Sequence, residues 1–102
     1  MADWNKVALL EEIPVLGSRV VATRQGDIAL FRTEGDEVFA LHDKCPHKGG
    51  PLSQGIVHGK KVTCPLHGWN IGLEDGNAIA PDVGCAGKLT AKLENGVVYL
   101  RI

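Results

Sequence analysis

The chain has 102 residues, the usual size of one domain, and its 11 basic and 12 acidic residues leave a net charge of −1. The charges are well mixed and offer no basic face, so nucleic acid and anionic lipid are excluded as expected partners. The longest early apolar run, Val7 to Leu10, is too short for a signal sequence or a membrane span. We therefore expect a cytoplasmic domain that does not contact a membrane.

Short β-strands are predicted along the first 42 residues, with turn signals between them. The predicted strands lie at 4–10, 19–23, 27–33 and 38–42. In the third of them, Ile28 and Leu30 face one side while Ala29 and Phe31 face the other. No stretch has a sustained 3.6-residue period, so helix is expected to be minor at most.

Residues 43–84 differ in composition from the rest of the chain. They hold eight of the thirteen glycines and four of the five prolines, the residue types of loops that present ligands. We predict that this segment is inserted into a sheet scaffold and contains short strands at 60–63 and 69–73.

The end of the chain carries alternating apolar residues on both sides of the two-residue turn Asn95-Gly96. These residues are Leu89, Ala91 and Leu93 before the turn, and Val98, Leu100 and Ile102 after it. A hairpin this regular closes a β-sandwich, so the predicted fold class is all-β.

Two Cys/His pairs stand in the middle segment, in Cys45-Pro46-His47 and Cys64-Pro65-Leu66-His67. Each pair offers one soft thiolate and one imidazole. Two such loops placed face to face could give both cysteines to one metal ion and both histidines to its neighbour. A Rieske [2Fe–2S] centre needs this arrangement, because histidines replace cysteines on one of its two irons.

Two other kinds of site remain open on these residues. A structural zinc could take four Cys and His ligands, although zinc modules usually pair like ligands and this chain mixes them. A cysteine nucleophile with a histidine base is the second alternative, although two equivalent pairs are one more than such an enzyme needs.

The other cysteine and histidines are given structural roles. With two of three cysteines committed to metal, no pair remains for a disulfide, which agrees with a reducing compartment. Cys85 is expected to be a small buried hydrophobe near the ligand loops. His42 and His58 are expected to be strand or turn residues, and Trp69 to pack beneath the second loop.

The runs Cys45-Pro46-His47-Lys48-Gly49-Gly50-Pro51-Leu52-Ser53 and Cys64-Pro65-Leu66-His67-Gly68-Trp69 resemble the two cluster-binding boxes of Rieske ferredoxins. More narrowly, the sequence from Cys64 through Pro81-Asp82-Val83-Gly84-Cys85 resembles the small subunit of assimilatory NAD(P)H-dependent nitrite reductase. The resemblance extends from the Trp4 region to the Asn95-Gly96 turn.

The resemblance implies a Rieske-type antiparallel β-sandwich with an inserted cluster-binding subdomain, in a single domain over residues 1–102. The base sheets would come from 1–42 and 85–102, and the cluster-binding subdomain from 43–84. One [2Fe–2S] cluster per chain would be held by Cys45, His47, Cys64 and His67. No catalytic residue and no catalytic pocket are expected in this chain alone.

The function implied by the resemblance is one-electron transport within an oxidoreductase. The implied partner is a large sirohaem and flavin subunit that reduces nitrite to ammonium with NAD(P)H, in nitrate assimilation. The alternative is a free Rieske ferredoxin that carries electrons from a flavin reductase to an aromatic-ring-hydroxylating dioxygenase. A third hypothesis is a zinc-held binding module without a redox role.

Comparison with the high-potential Rieske proteins of quinol-oxidising complexes predicts a low potential for this chain. Those proteins carry a second cysteine in each box, where this chain has Gly50 and Leu66. Their hydroxyl donors to the cluster are matched here by Trp69 and Ile71, which have no hydroxyl. We therefore expect a potential near the low end of the Rieske range of about −150 to +300 mV.

Overall fold

The computed structural model describes residues 4–44, 51–65, 68–80 and 83–101. Within these ranges the chain forms ten short strands and two 3-10 helices, the helices at Leu10–Glu12 and Leu52–Gln54. The strands are β1 (Trp4–Leu9), β2 (Ser18–Thr23), β3 (Gly26–Arg32), β4 (Val38–His42), β5 (Ile56–His58), β6 (Lys61–Thr63), β7 (Asn70–Gly72), β8 (Lys88–Leu89), β9 (Ala91–Glu94) and β10 (Val97–Arg101).

The described strands make three sheets, and the named strands pair antiparallel throughout. The first sheet has the order β1-β10-β9, the second β2-β3-β4-β8, and the third β5-β6-β7. The predicted all-β, antiparallel fold class is therefore confirmed. In the part of the chain that is described, neither helix approaches the length and apolar content needed to cross a bilayer.

Strand β3 of the second sheet is buried on both faces, and its side chains alternate between them. Ile28 and Leu30 belong to one buried cluster, and Ala29 and Phe31 belong to another. All four side chains have no accessible surface. The predicted assignment of these residues to two faces is confirmed, and it follows from the two-residue period of a strand.

The two buried clusters lie between successive sheets. The base core, between the first and second sheets, consists of Ala8, Ile13, Ile28, Leu30, Ala40, Leu89, Val98 and Leu100. The ligand-side core, between the second and third sheets, consists of Ala29, Phe31, Leu41, Leu52, Val57, Val62, Cys64, Ile71, Leu73 and Ala86. The second sheet thus separates the first sheet from the third, which leads into the second Cys/His pair.

The last part of the chain passes from one sheet to another at Thr90. Leu89 pairs with Ala40 in the second sheet, whereas Ala91 pairs with Leu100 in the first. The alternating residues before the Asn95-Gly96 turn therefore do not form one arm of a hairpin throughout, because the chain changes partners in their middle. Leu93 is also 38% exposed, since β9 lies at the edge of the first sheet.

Three short elements have no counterpart in the sequence prediction. They are the two 3-10 helices and β5, each three residues long. Such elements are too short to show a period. The strand β5 forms because Gly59 takes a left-handed φ of 57° in the turn before β6, which folds the two strands into a hairpin.

Candidate metal centre

Of the four predicted ligands, Cys64 belongs to the described residues, whereas Cys45, His47 and His67 lie outside them. The structure therefore describes one predicted ligand and the chain that flanks the other three. Two parts of the chain carry these residues. We call 44–52 the first ligand segment and 64–69 the second ligand segment.

Cys64 lies directly after β6 and is 2% exposed, as part of the ligand-side core. Its N–H donates to the Trp69 carbonyl at 2.7 Å, and its own carbonyl accepts from the Gly68 N–H at 3.1 Å. Gly68 has a φ of 70°, a conformation that favours glycine. These bonds join the two ends of the second ligand segment and hold the Cys64 backbone in place.

A side-chain network joins the three strands below the second ligand segment. Thr63 and Asn70 are cross-strand partners, and the Thr63 hydroxyl donates to Asn70 Oδ1 at 2.7 Å. His58 Nε2 lies 2.6 Å from the same hydroxyl oxygen. Because a hydroxyl has one proton, His58 Nε2–H is the donor to Thr63. The network links β5, β6 and β7 at the base of the loop.

The two ends of the first ligand segment are held together by Asp43 and Ser53. The Asp43 carboxylate accepts the Ser53 N–H at 2.7 Å and the Ser53 hydroxyl at 2.9 Å. The Ser53 carbonyl accepts the Ser18 hydroxyl at 2.6 Å, and the Asp43 N–H donates to the Asp27 carbonyl at 3.0 Å. This clamp fastens the two residues that flank the segment to the second sheet.

Sequence reasoning missed the clamp between Asp43 and Ser53. The signal available was an Asp and a Ser at the two ends of a Gly- and Pro-rich segment, since both residues commonly bond to nearby backbone groups. Such a signal does not reveal that the two residues bond to each other across ten positions.

The segment after β7 folds back against β7 and pairs with itself. Asn77 forms an antiparallel bridge with Cys85, and the Ala86 N–H donates to the Gly76 carbonyl at 2.7 Å. Cys85 is exposed, and its sulfur accepts a weak bond from the Gly87 N–H at 3.4 Å. The prediction of a buried Cys85 is therefore wrong. Its neighbour Ala86 takes the inward position instead, because successive side chains of an extended chain point to opposite sides.

The predicted positions of three other residues are confirmed. His42 lies in β4 and His58 in β5, so both are strand residues. Trp69 is half-buried and packs against the ligand-side core. His42 also leaves no room for a side chain at position 87, since a Cβ at Gly87 would come within 2.7 Å of the His42 ring.

A surface ion cluster links the second and third sheets. Lys60, in the turn between β5 and β6, lies 3.1 Å from Glu74 and 3.7 Å from Glu37. The hydrogen bond to Glu74, together with the charge of Glu37, raises the pKa of Lys60 above its usual value. All three side chains are about half exposed, so solvent screens the pairs and their contribution to stability is small.

The described residues fit one part of the predicted cluster site. Cys64 offers a buried thiol on a loop whose backbone is hydrogen-bonded, which suits a thiolate ligand of an iron–sulfur cluster. In residues 4–44, 51–65, 68–80 and 83–101, no three His, Cys, Asp or Glu side chains are grouped so as to hold a metal ion. The three other predicted ligands lie outside these ranges.

Comparison with known proteins finds a relative that matches along almost the whole length of both chains. The chain is 30% identical over 101 residues to the ferredoxin component of the naphthalene 1,2-dioxygenase/salicylate 5-hydroxylase systems of Ralstonia sp.. The match covers 98% of this chain and 96% of that protein. Three other curated relatives are longer than this chain, which spans between 12% and 61% of their length.

Solved structures with the same fold include a nitrite reductase small subunit and a dioxygenase ferredoxin. One is assigned as the small subunit of an NADH-dependent nitrite reductase from Mycobacterium tuberculosis, with a TM-score of 0.86, 21% identity and coverage of 98% and 95% of the two chains. Another is the complex of reduced oxygenase and oxidized ferredoxin in carbazole 1,9a-dioxygenase, with a TM-score of 0.82, 25% identity and coverage of 96% and 92%. The match to the nitrite reductase subunit shows the fold alone.

The family model of the Rieske [2Fe–2S] domain matches residues 3–90. This range includes the second sheet, the third sheet and both Cys/His pairs. The chain therefore belongs to the Rieske [2Fe–2S] domain family.

Proposed function

We propose that this Rieske protein is the electron-transfer small subunit of an assimilatory NAD(P)H-dependent nitrite reductase. The observation that carries the proposal is the sequence from Cys64 through Pro81-Asp82-Val83-Gly84-Cys85, which resembles that subunit beyond the two boxes. Membership of the family gives the chain one [2Fe–2S] cluster and a part in an oxidoreductase electron-transfer system. The nitrite reductase, its nitrate assimilation role and the cytoplasmic location remain parts of the proposal.

The cluster ligands in this proposal are Cys45, His47, Cys64 and His67. Two observations support the choice, namely the spacing of the two Cys/His pairs and the buried position of the Cys64 thiol. The proposal also keeps the predicted division of the chain, with base sheets from 1–42 and 85–102 and a cluster-binding subdomain from 43–84.

The cluster, when bound, takes up and releases one electron. The protein holds the chain near the cluster in place by hydrogen bonds. The Cys64 backbone is held by bonds to Gly68 and Trp69, and the ends of the first ligand segment are clamped by Asp43 and Ser53. Because these flanking residues are fixed, we expect the protein around the cluster to rearrange little at each electron transfer.

A second candidate function is supported by the full-length match to a dioxygenase ferredoxin, at 30% identity. In this case the chain would be a free ferredoxin that takes electrons from a flavin reductase and passes them to an aromatic-ring-hydroxylating oxygenase. The two functions require the same cluster and differ in the protein that receives the electron.

Reconstitution with both kinds of partner separates the two functions. The purified chain is added to a sirohaem-containing nitrite reductase large subunit, and NAD(P)H oxidation that depends on nitrite is measured together with co-elution of the two proteins. We expect a stable complex and a rate that rises with added chain. If the chain instead supports substrate hydroxylation by a flavin reductase and a ring-hydroxylating oxygenase, and neither binds nor stimulates the large subunit, the nitrite reductase proposal is wrong.

A further inference from the structure

Gly55 lies between the first ligand segment and β5, at the end of the β5–β6 hairpin where Ile56 pairs with Thr63. A Cβ placed on Gly55 would overlap the carbonyl oxygen of Thr63. It would also come within 3.0 Å of Val62 Cγ2 and 3.1 Å of the Leu52 carbonyl oxygen. Real Cβ atoms do not come as close to a backbone oxygen as this one would to Thr63, so any side chain at position 55 must push the backbone apart.

The backbone conformation of Gly55 is an ordinary one. Its φ of −80° and ψ of 177° are extended values that any residue adopts. Glycine is therefore needed here for space and not for flexibility. A substitution to alanine tests the close approach without adding backbone strain of its own.

Both sides of this contact are joined directly to a ligand segment. Gly55 comes two residues after Ser53, which is clamped by Asp43 and by Ser18. Thr63 immediately precedes the buried Cys64 and is held to Asn70 by its side chain. Because the chain is fixed on each side, a displacement at this contact cannot be absorbed by loose neighbours.

We propose that Gly55 is a positioning residue, which sets the distance between the first and the second ligand segment. The absence of a side chain lets the chain leaving the first segment lie directly against the chain entering the second. A larger residue moves the two segments apart, and with them the two halves of the ligand set. The proposal rests on the cluster and its four ligands and does not depend on which partner protein receives the electron.

The test is the Gly55→Ala variant of the full chain, prepared anaerobically. Gly35→Ala is the matched control, because Gly35 lies in a surface turn where a Cβ would meet no atom within 4 Å and where φ is not left-handed. We measure iron and sulfide content, the rate at which a chelator removes iron, the reduction potential, and the electron paramagnetic resonance spectrum of the reduced protein.

For Gly55→Ala we expect a folded protein that loses iron about 10-fold faster than the wild type, with shifted resonance positions and a shifted potential. Gly35→Ala should match the wild type in all four measurements. A purely structural role for Gly55 would lower thermal stability without changing the spectrum of the cluster that remains. Wild-type spectra and iron release in Gly55→Ala would overturn the proposal.

Ser53→Ala keeps the proposal testable should Gly55→Ala fail to fold. This variant removes the hydroxyl bond to Asp43 and adds no volume. We expect faster iron loss in the same direction as for Gly55→Ala, and unchanged release and spectra would overturn the proposal in that case. All measurements use the isolated chain, so a wild-type protein without iron or sulfide would instead contradict the ligand assignment.

Discussion

At the scale of single residues, Asn95 and Gly96 show how closely a turn can depend on its residue types. Both have left-handed φ values, 52° for Asn95 and 76° for Gly96. A two-residue hairpin turn with two positive φ values matches the twist of the strands on either side. Asn tolerates this conformation far better than other residues with a Cβ, so the pair predicts the hairpin of β9 and β10.

The first prediction is that Asn95→Ala lowers the free energy of unfolding by about 1–2 kcal/mol, because alanine pays the steric cost of the left-handed region. Asn95→Gly serves as the control and should be close to the wild type, since glycine takes this conformation freely. Chemical denaturation followed by circular dichroism measures both. Equal loss of stability in the two variants would show that the Asn side chain, and not its backbone, stabilises the turn.

The second prediction concerns the cysteines. Cys64→Ala should remove the proposed thiolate and leave less than half of the wild-type content of about two irons and two sulfides per chain. Cys85→Ala should leave the iron content and the visible spectrum unchanged, because Cys85 is exposed and lies outside the proposed ligand set. Metal and sulfide analysis of freshly prepared anaerobic protein tests both expectations. Loss of colour in Cys85→Ala would mean that the ligand assignment is wrong.

At the scale of elements, β3 is the strand on which both cores depend. Its side chains enter the base core on one face and the ligand-side core on the other. The ligand-side core also contains Cys64, whereas the base core consists of residues from the first and second sheets together with Ile13. Adjacent residues of β3 therefore stabilise different cores.

The third prediction compares these two faces. Leu30→Val removes one methylene group from the base core and should cost about 1 kcal/mol of stability, with an unchanged cluster spectrum. Phe31→Leu puts a smaller side chain into the ligand-side core and leaves a cavity there, which should cost roughly 1–2 kcal/mol of stability. In this variant iron release should also become faster, because Phe31 and Cys64 belong to the same core. Denaturation curves and chelator assays measured on both variants test this, and equal iron release would contradict it.

The elements also show what could be predicted from the sequence and what could not. The alternation in β3 and the Asn95-Gly96 turn are local patterns, and both predictions are confirmed. The break at Thr90 could not be predicted, because both halves of the segment keep a strand-like pattern while their partners change. Strand β5 was missed because three residues are too few to show a period.

The same limit applies to the candidate site. The ligand types and their spacing are chemical information, which the sequence carries directly, so the two Cys/His pairs could be recognised. The clamp of Asp43 on Ser53 and the close approach of Gly55 to Thr63 depend on how distant parts of the chain meet. The exposure of Cys85 was mispredicted for a similar reason, since the bridge to Asn77 decides which way its side chain points.

At the scale of the whole molecule, the second and third sheets lie between the first sheet and the end of β6, where the second ligand segment begins. The far side of the domain is the side of the first sheet. The second ligand segment follows β6 of the third sheet, and the first sheet lies beyond the second. Lys92 lies on that far side, in β9, where it contacts the rings of Trp4 and Tyr99. A partner that takes electrons at the ligand segments would leave Lys92 uncovered.

The fourth prediction follows from this arrangement. Lys48 is adjacent in sequence to His47 and lies outside the described residues. We propose that it steers an acidic partner to the electron-exchange face, so Lys48→Glu should slow electron transfer at low salt more than Lys92→Glu does. Stopped-flow rates at several salt concentrations measure the effect, with the folding of Lys92→Glu checked first because it loses its aromatic contacts. Equal effects at both sites would place the interface elsewhere.

The passage of the chain at Thr90 has a further consequence, for the way the molecule opens. Lys88 and Leu89 are hydrogen-bonded into the second sheet, Ala91 begins the pairing of the first, and the Arg101 N–H bonds to the Thr90 carbonyl between them. No flexible linker separates the two sheets at this point. When the hydrogen bonds at the edge of one sheet break, the edge of the other sheet is therefore disturbed as well. Opening of the sheets is thus mechanically coupled, and backbone amides in β3 and β4, buried between the two cores, exchange with solvent through the largest and rarest openings of the domain.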